Sequence, residues 1–107
     1  MKQITGAEFE SEVLGSKEPV LVDFYTDDCP PCRMMAPVLQ EIETEAKGSF
    51  KVVKVNAATE AALAVSFRVN SVPSFFAFNN GKCVGQTLGA KSKTHIKKWF
   101  EESIRSA

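Results

Sequence analysis

Residues Val20-Leu21-Val22-Asp23-Phe24-Tyr25 are apolar with a single polar interruption, Asp23, and a strand of that composition belongs where other elements cover both of its faces. The rest of the chain should therefore supply helices and further strands in alternation. Thr5-Gly6-Ala7-Glu8 has the spacing of a capping box and opens a short helix to about Leu14, closed by Gly15. From about Pro30 to Lys47, the residues Met34, Met35, Val38, Leu39, Ile42 and Ala46 recur at helical spacing, and Gly48 supplies the stop. Pro37 lies inside that helix, where the missing amide donor and the crowded preceding turn predict a kink near residues 33 to 37.

Phe50 to Val55 reads as a second strand and Thr59 to Phe67 as a short helix. Val72-Pro73-Ser74-Phe75-Phe76-Ala77-Phe78 is a strand with a proline at its mouth. Asn79-Asn80-Gly81-Lys82 is a hairpin signal that makes Cys83 to Leu88 its antiparallel partner. The last helix starts near Ser92 and carries Ile96, Trp99, Phe100, Ser103 and Ile104 on one stripe, which assigns Trp99 to the core and turns His95 to solvent. Strand, helix, strand, helix, hairpin, helix predicts an α/β sandwich with a mixed sheet. No repeat, linker or low-complexity segment divides residues 1–107, which read as one domain.

Composition narrows the function classes. The 13 Lys+Arg are balanced by 13 Asp+Glu, whereas nucleic-acid binding through counterion release needs a basic surplus. No run of 18 apolar residues occurs, and Met1 to Glu8 lacks the apolar stretch of a secretory signal, so the expectation is no membrane association and a cytoplasmic location. Residues 1–30 carry two lysines against seven acids, and residues 82–107 carry six basic residues against two acids. That asymmetry either steers a charged partner or marks two solvated faces of opposite sign.

Three cysteines are an odd number for a disulfide-stapled domain, and 107 residues can hold together by burial alone, so the cysteines point to chemistry. Two of them form Cys29-Pro30-Pro31-Cys32 at the start of the long helix, a spacing that can close a disulfide ring. Unpaired amides and partial positive charge at a helix N-terminus stabilise a thiolate on the first cysteine. A free thiol near pKa 8.5 is only a few per cent ionised at pH 7, and lowering it to about 7 makes half of it reactive. Cys29 is then the nucleophile, and Cys32, one turn inside, resolves the mixed disulfide that Cys29 forms. The same pair could be half of a zinc or iron-sulfur site, or two structural thiols. A tetrahedral zinc needs four ligands, and only Cys83 and His95 remain to complete one, so no metal is expected. Cys83, at the start of a hairpin strand, reads as a small packed residue, or, if exposed, as a thiol able to pair between chains.

The strand Val20 to Tyr25, the run Cys29-Pro30-Pro31-Cys32-Arg33-Met34-Met35-Ala36-Pro37, then Val72-Pro73-Ser74 and Gly89-Ala90 together resemble the thioredoxin family in order and spacing across essentially the whole chain. The resemblance implies the thioredoxin fold, with about five strands flanked by about four helices. It also implies a dithiol-disulfide oxidoreductase that reduces protein disulfides with no cofactor beyond its own cysteines. Carried over by position, Asp23 matches the family's buried carboxylate beneath the cysteine pair, Lys54 its partner, and Pro73 the cis-proline facing the disulfide. A carboxylate inside a strand covered on both faces has its pKa raised by desolvation, which suits a proton acceptor for Cys32; the plain alternative is a buried acid satisfied by hydrogen bonds. A cis bond before Pro73 would leave the preceding backbone free to pair with an extended substrate, where otherwise the proline only breaks a strand edge. Val72, Pro73, Gly89, Asp28, Pro30 and Pro31 would form the surface that substrate touches. The partners implied are protein disulfides and a reductase, met by a monomer.

Thioredoxins usually show Trp-Cys-Gly-Pro-Cys, and this chain has Asp28-Cys29-Pro30-Pro31-Cys32. Asp28 removes a flat apolar contact surface and places a like charge beside the thiolate. Pro30 fixes a backbone angle and removes an amide near the sulfur. Ala58 stands where the family often has an acid, which takes away one partner of Lys54. The leading expectation is a reductase of protein disulfides. Its rivals are a glutaredoxin-like, glutathione-linked activity, suggested by Cys29-Pro30 and Ser71-Val72-Pro73, and a non-catalytic interaction module that keeps the cysteines for stability.

Overall fold

The computed structural model describes residues 1–106. Five strands, β1 (Lys2–Gln3), β2 (Val20–Tyr25), β3 (Lys51–Asn56), β4 (Ser74–Asn79) and β5 (Lys82–Leu88), make one mixed sheet in the order β1-β3-β2-β4-β5. The apolar strand β2 is its centre, parallel to β3 on one side and antiparallel to β4 on the other. Three α-helices follow their strands: α1 (Pro30–Ala46), α2 (Ala61–Ser66) and α3 (Lys93–Arg105).

Successive side chains on a strand point to opposite faces, and β2 uses this to feed two cores. Val20, Val22 and Phe24 face a cluster with Phe9, Val13 and Ala64, under α2 and the N-terminal helical segment. Leu21 faces a second cluster with Met35, Leu39 and Ile42 of α1 and Ile96 and Phe100 of α3. Asp23 shares the parity of Leu21, so the strand's own periodicity sends it to the α1 side. The hairpin closes through Asn80 and Gly81, with φ of 54° and 77°, the left-handed pair that a two-residue turn between twisted strands requires.

Several expectations are corrected. The capping box of Thr5 and Glu8 is present, but it opens a 3₁₀ turn, Gly6–Glu8, that passes through Phe9 into a π-helical stretch, Glu10–Leu14. Packing decides this: the Phe9 ring lies 5.3 Å from that of Phe67 and 5.5 Å from that of Phe78. Strand β1 has no apolar pattern to reveal it; its two exposed residues are held by pairing with β3, next to buried Ile4. Pro37 lies within α1, as read from the sequence. Met34, which fits the apolar spacing, is 69% exposed, because Met35, Leu39 and Ile42 already fill the face toward the sheet. Trp99 is only partly buried, set against the core beside Phe100, and Cys83 is exposed instead of packed. His95 is exposed, as expected. Among the described residues, no helix is long and apolar enough to cross a membrane.

Candidate active site

Cys29 is the N-cap of α1, and its sulfur accepts a hydrogen bond from the backbone amide of Cys32 at 3.2 Å. One of the donors that every helix leaves unpaired at its first turn is therefore aimed at the sulfur, where the partial positive charge of the helix is concentrated. Pro30 and Pro31 occupy the first two helical positions, where a missing amide removes no helical bond and the fixed φ suits the helix. Cys29 and Cys32 form a disulfide across a Cα separation of 5.2 Å. Both are largely covered, at 8% and 5% exposure, so position and not exposure separates their roles.

Cys29 faces outward onto the loop before β4. The Val72–Pro73 peptide bond is cis, and the Val72 carbonyl oxygen lies 3.7 Å from Cys29 Sγ, a contact that a reduced thiol can turn into an S–H···O hydrogen bond. Gly89, with φ of 83°, donates its amide to the Pro73 carbonyl at 2.9 Å, which brings the end of β5 to the same edge. Beside this edge lies an open groove of about 240 Å³ lined by Thr26, Ala57, Ala58, Val69, Ser71 and Val72, among others. Asp28, Pro30 and Pro31 are exposed at the rim of the disulfide.

Cys32 faces inward. It lines a cavity of about 210 Å³ together with Asp23, Lys54, Tyr25 and Asp27, large enough and polar enough for bridging water. Asp23 is 3% exposed, and its Oδ1 has no hydrogen-bond partner among the described residues. Burial pushes the Asp23 pKa up to about 7, and the charge of Lys54 opposes that rise only in part. Lys54 is the register partner of Asp23 across the parallel pair, yet its ammonium sits 5.3 Å from the centre of the Tyr25 ring and makes no ion pair with the carboxylate. The alternative in which Asp23 is a buried acid satisfied by hydrogen bonds does not describe this geometry.

The cysteine pair, Asp23, Lys54, Val72, Pro73 and Gly89 thus lie at one end of the sheet, Cys29 on the outer side of the disulfide and Asp23 on the inner, whereas Cys83 lies at the opposite end of β4 and β5, beside the hairpin turn. The sequence did not disclose the groove residues Thr26, Ala57 and Val69, nor Tyr25 and Asp27 in the cavity wall. It also missed Arg33, whose Nη1 donates to the Asp27 carbonyl at 2.7 Å and so ties α1 to the loop ahead of Cys29. Asp27 could have been suspected from its place beside Asp28; the groove residues carry no local signal.

A reversible dithiol at a helix cap, over a buried acid on a mixed sheet, defines the class of proteins that exchange disulfides. A thioredoxin family model matches residues 1–102. Thioredoxin 1 of Nostoc sp. is 40% identical over 102 residues, covering 95% of both chains. Thioredoxin of Haemophilus influenzae is 39% identical over 101 residues, covering 94% of each. The bifunctional thioredoxin reductase/thioredoxin of Mycobacterium leprae is 42% identical over 94 residues, which span 88% of this chain and 20% of that protein. The chain belongs to the thioredoxin family, and its function is thiol-disulfide oxidoreduction through Cys29 and Cys32.

Proposed function

We propose that the protein is a reductant of protein disulfides in which Cys29 attacks, Cys32 resolves and Asp23 takes up the proton of Cys32. The observation that carries this reading is the division of the site: one sulfur at the helix cap beside Val72, the other lining one cavity with an unpartnered acid. The Cys29 thiolate attacks one sulfur of the substrate disulfide; that bond breaks, and the first substrate thiolate leaves. Cys32 gives its proton to Asp23 through the cavity, and the resulting thiolate attacks Cys29 Sγ. The mixed disulfide breaks, the second substrate thiolate leaves, and two electrons have passed from protein to substrate. With a pKa of about 7, Asp23 can both accept and release a proton near neutrality.

Val72, Pro73 and Gly89 would border the substrate backbone, with Pro30, Pro31 and Asp28 on the opposite lip. Lys54 would limit the rise of the Asp23 pKa. The cycle needs no metal or organic cofactor. It does need a reductase to restore the dithiol, and the relative that joins both functions in its name supports a partner of that kind. A monomer acting in the reducing cytoplasm fits this chemistry. The test is the reduction potential of the Cys29-Cys32 pair, measured by free-thiol quantification in defined thiol-disulfide buffers. A value near about −270 mV is expected; a value near about −200 mV would move the protein to the glutaredoxin range and call for glutathione as donor. A Cys29 thiol that resists alkylation at every pH would instead favour the non-catalytic module.

A further inference from the structure

The two carboxylates closest in sequence to the nucleophile, Asp27 and Asp28, are among those the fold leaves without an ion-pair partner. Glu12 pairs with Lys2 and Lys51, Glu41 and Glu45 with α3 lysines, and Glu43 with the chain's first amine. Asp27 and Asp28 are exposed and make no ion pair among the described residues. The cation best placed to neutralise them, Arg33, gives its Nη1 to the Asp27 backbone carbonyl at 2.7 Å, and only the Asn56 amide, at 3.5 Å, reaches an Asp27 carboxylate oxygen. On the far side of Cys29, the groove beside Val72 is lined wholly by uncharged residues and offers a cationic side chain no competing repulsion. The substrate-contacting face is therefore neutral along the groove, and the lip that adjoins the sulfur carries two carboxylates against the one cation of Arg33.

Resting on the reductase reading above, we propose that this face selects disulfides whose attacked cysteine is flanked by lysine or arginine, with Asp28 as the specificity-determining residue. Attack requires the substrate sulfur to reach Cys29 Sγ, which carries the neighbouring substrate residues past Asp28. Each residue of extended chain advances about 3.3–3.6 Å, so the residue next to the attacked cysteine stays within one such step of it, and a long side chain there can reach toward the carboxylate that adjoins Cys29 in sequence. At that range an exposed charge pair is attractive at low salt and is screened as the Debye length shrinks from about 10 Å at 0.1 M to about 3 Å at 1 M. Asp28 replaces an apolar contact by a charge contact, and the partner's chemistry changes with it.

The experiment uses three synthetic peptide disulfides that differ only in the residue after the attacked cysteine, Lys, Gln or Glu, each rate being divided by that with dithiothreitol to remove intrinsic reactivity. The reduced protein is expected to react with the Lys peptide about tenfold faster than with the Glu peptide at low salt, with Gln between. The ratio should fall below about threefold in 1 M salt. Asp28→Asn should shrink the low-salt ratio to a similar value, and Asp28→Lys should invert it. Equal normalised rates for the three peptides with the unmodified protein would overturn the selectivity and leave the reductase reading intact. Failure to reduce any of them would overturn the reading on which it rests. A ratio unmoved by both salt and Asp28→Asn would assign the preference to another part of the face and overturn the role of Asp28.

Discussion

Asp23 occupies a place where the sheet covers it and supplies Oδ1 with no donor, so its ionisation opposes folding. Its pKa is about 7 in the folded chain and near the ordinary carboxylate value when unfolded. Below about pH 4 both states hold the proton and nothing is lost. Between about pH 4 and 7 the unfolded chain holds fewer protons than the folded one, so stability falls as pH rises, and above about pH 7 the full penalty, on the order of 4 kcal/mol, applies. Asp23→Ala is therefore expected to stabilise the oxidised protein by about 2–4 kcal/mol at pH 8 and by less than about 1 kcal/mol at pH 4, read from urea unfolding across that range. The same substitution should slow disulfide reduction near neutrality, since Cys32 loses its proton acceptor. Asp28 acts on the other sulfur. At about 7 Å its repulsion of the Cys29 thiolate is about 0.6 kcal/mol in water, which disfavours the reduced form. Asp28→Ala should raise the reduction potential by about 10 mV; an unchanged or lower value in the same thiol-disulfide buffers would refute this electrostatic role.

At the scale of elements, the sharpest constraint outside the site is the fit of α3 on the edge strand β5. A Cβ on Gly85 would run into Ser103 Oγ and lie 2.8 Å from Ser103 Cβ, inside the distance that real side chains keep. Gly85→Ala is expected to lower stability by about 1–3 kcal/mol, seen as a lower urea midpoint with unchanged slope. The elements legible in the sequence were those whose signal is local. β2 was readable from unbroken apolarity, the hairpin from Asn80-Gly81, and α1 from its capping cysteine and its Met35, Leu39, Ile42 stripe. What was not legible depends on partners distant in the chain. β1 exists because β3 pairs with it, the π-helical stretch follows the Phe9 contacts, and Met34 is outside because its neighbours fill the inside. The site divides in the same way. The cysteine pair, Asp23 and Pro73 announce themselves by residue type, whereas the groove wall assembles Thr26, Ala57 and Val69 from three loops, and no local pattern marks any of them.

Over the whole molecule, the disulfide, the fold and the direction of electron flow are joined in one thermodynamic cycle. If the oxidised protein is more stable than the reduced one, the folded chain favours its disulfide more than the unfolded chain does, and the protein gives electrons away. If the reduced protein is the more stable, the fold favours the dithiol and the protein is an oxidant. Closing the four-residue ring from Cys29 to Cys32 removes entropy from the unfolded state worth about 2 kcal/mol in the loop-closure account. What favours the dithiol in the folded state is the helix-cap amide, which the sulfur of Cys29 already accepts in the disulfide, and the weak S–H···O bond that a reduced Cys29 can give to the Val72 carbonyl. Oxidised protein is therefore expected to unfold at higher urea than reduced protein, by about 2 kcal/mol, equivalent to about 40 mV of added reducing power. The measurement needs Cys83→Ser, because the exposed Cys83 thiol could form a disulfide between chains during oxidation. The reverse order of stabilities, with the dithiol form outlasting the disulfide in urea, would make this site an oxidant of thiols and reverse the direction of the proposed cycle while leaving its residues in place.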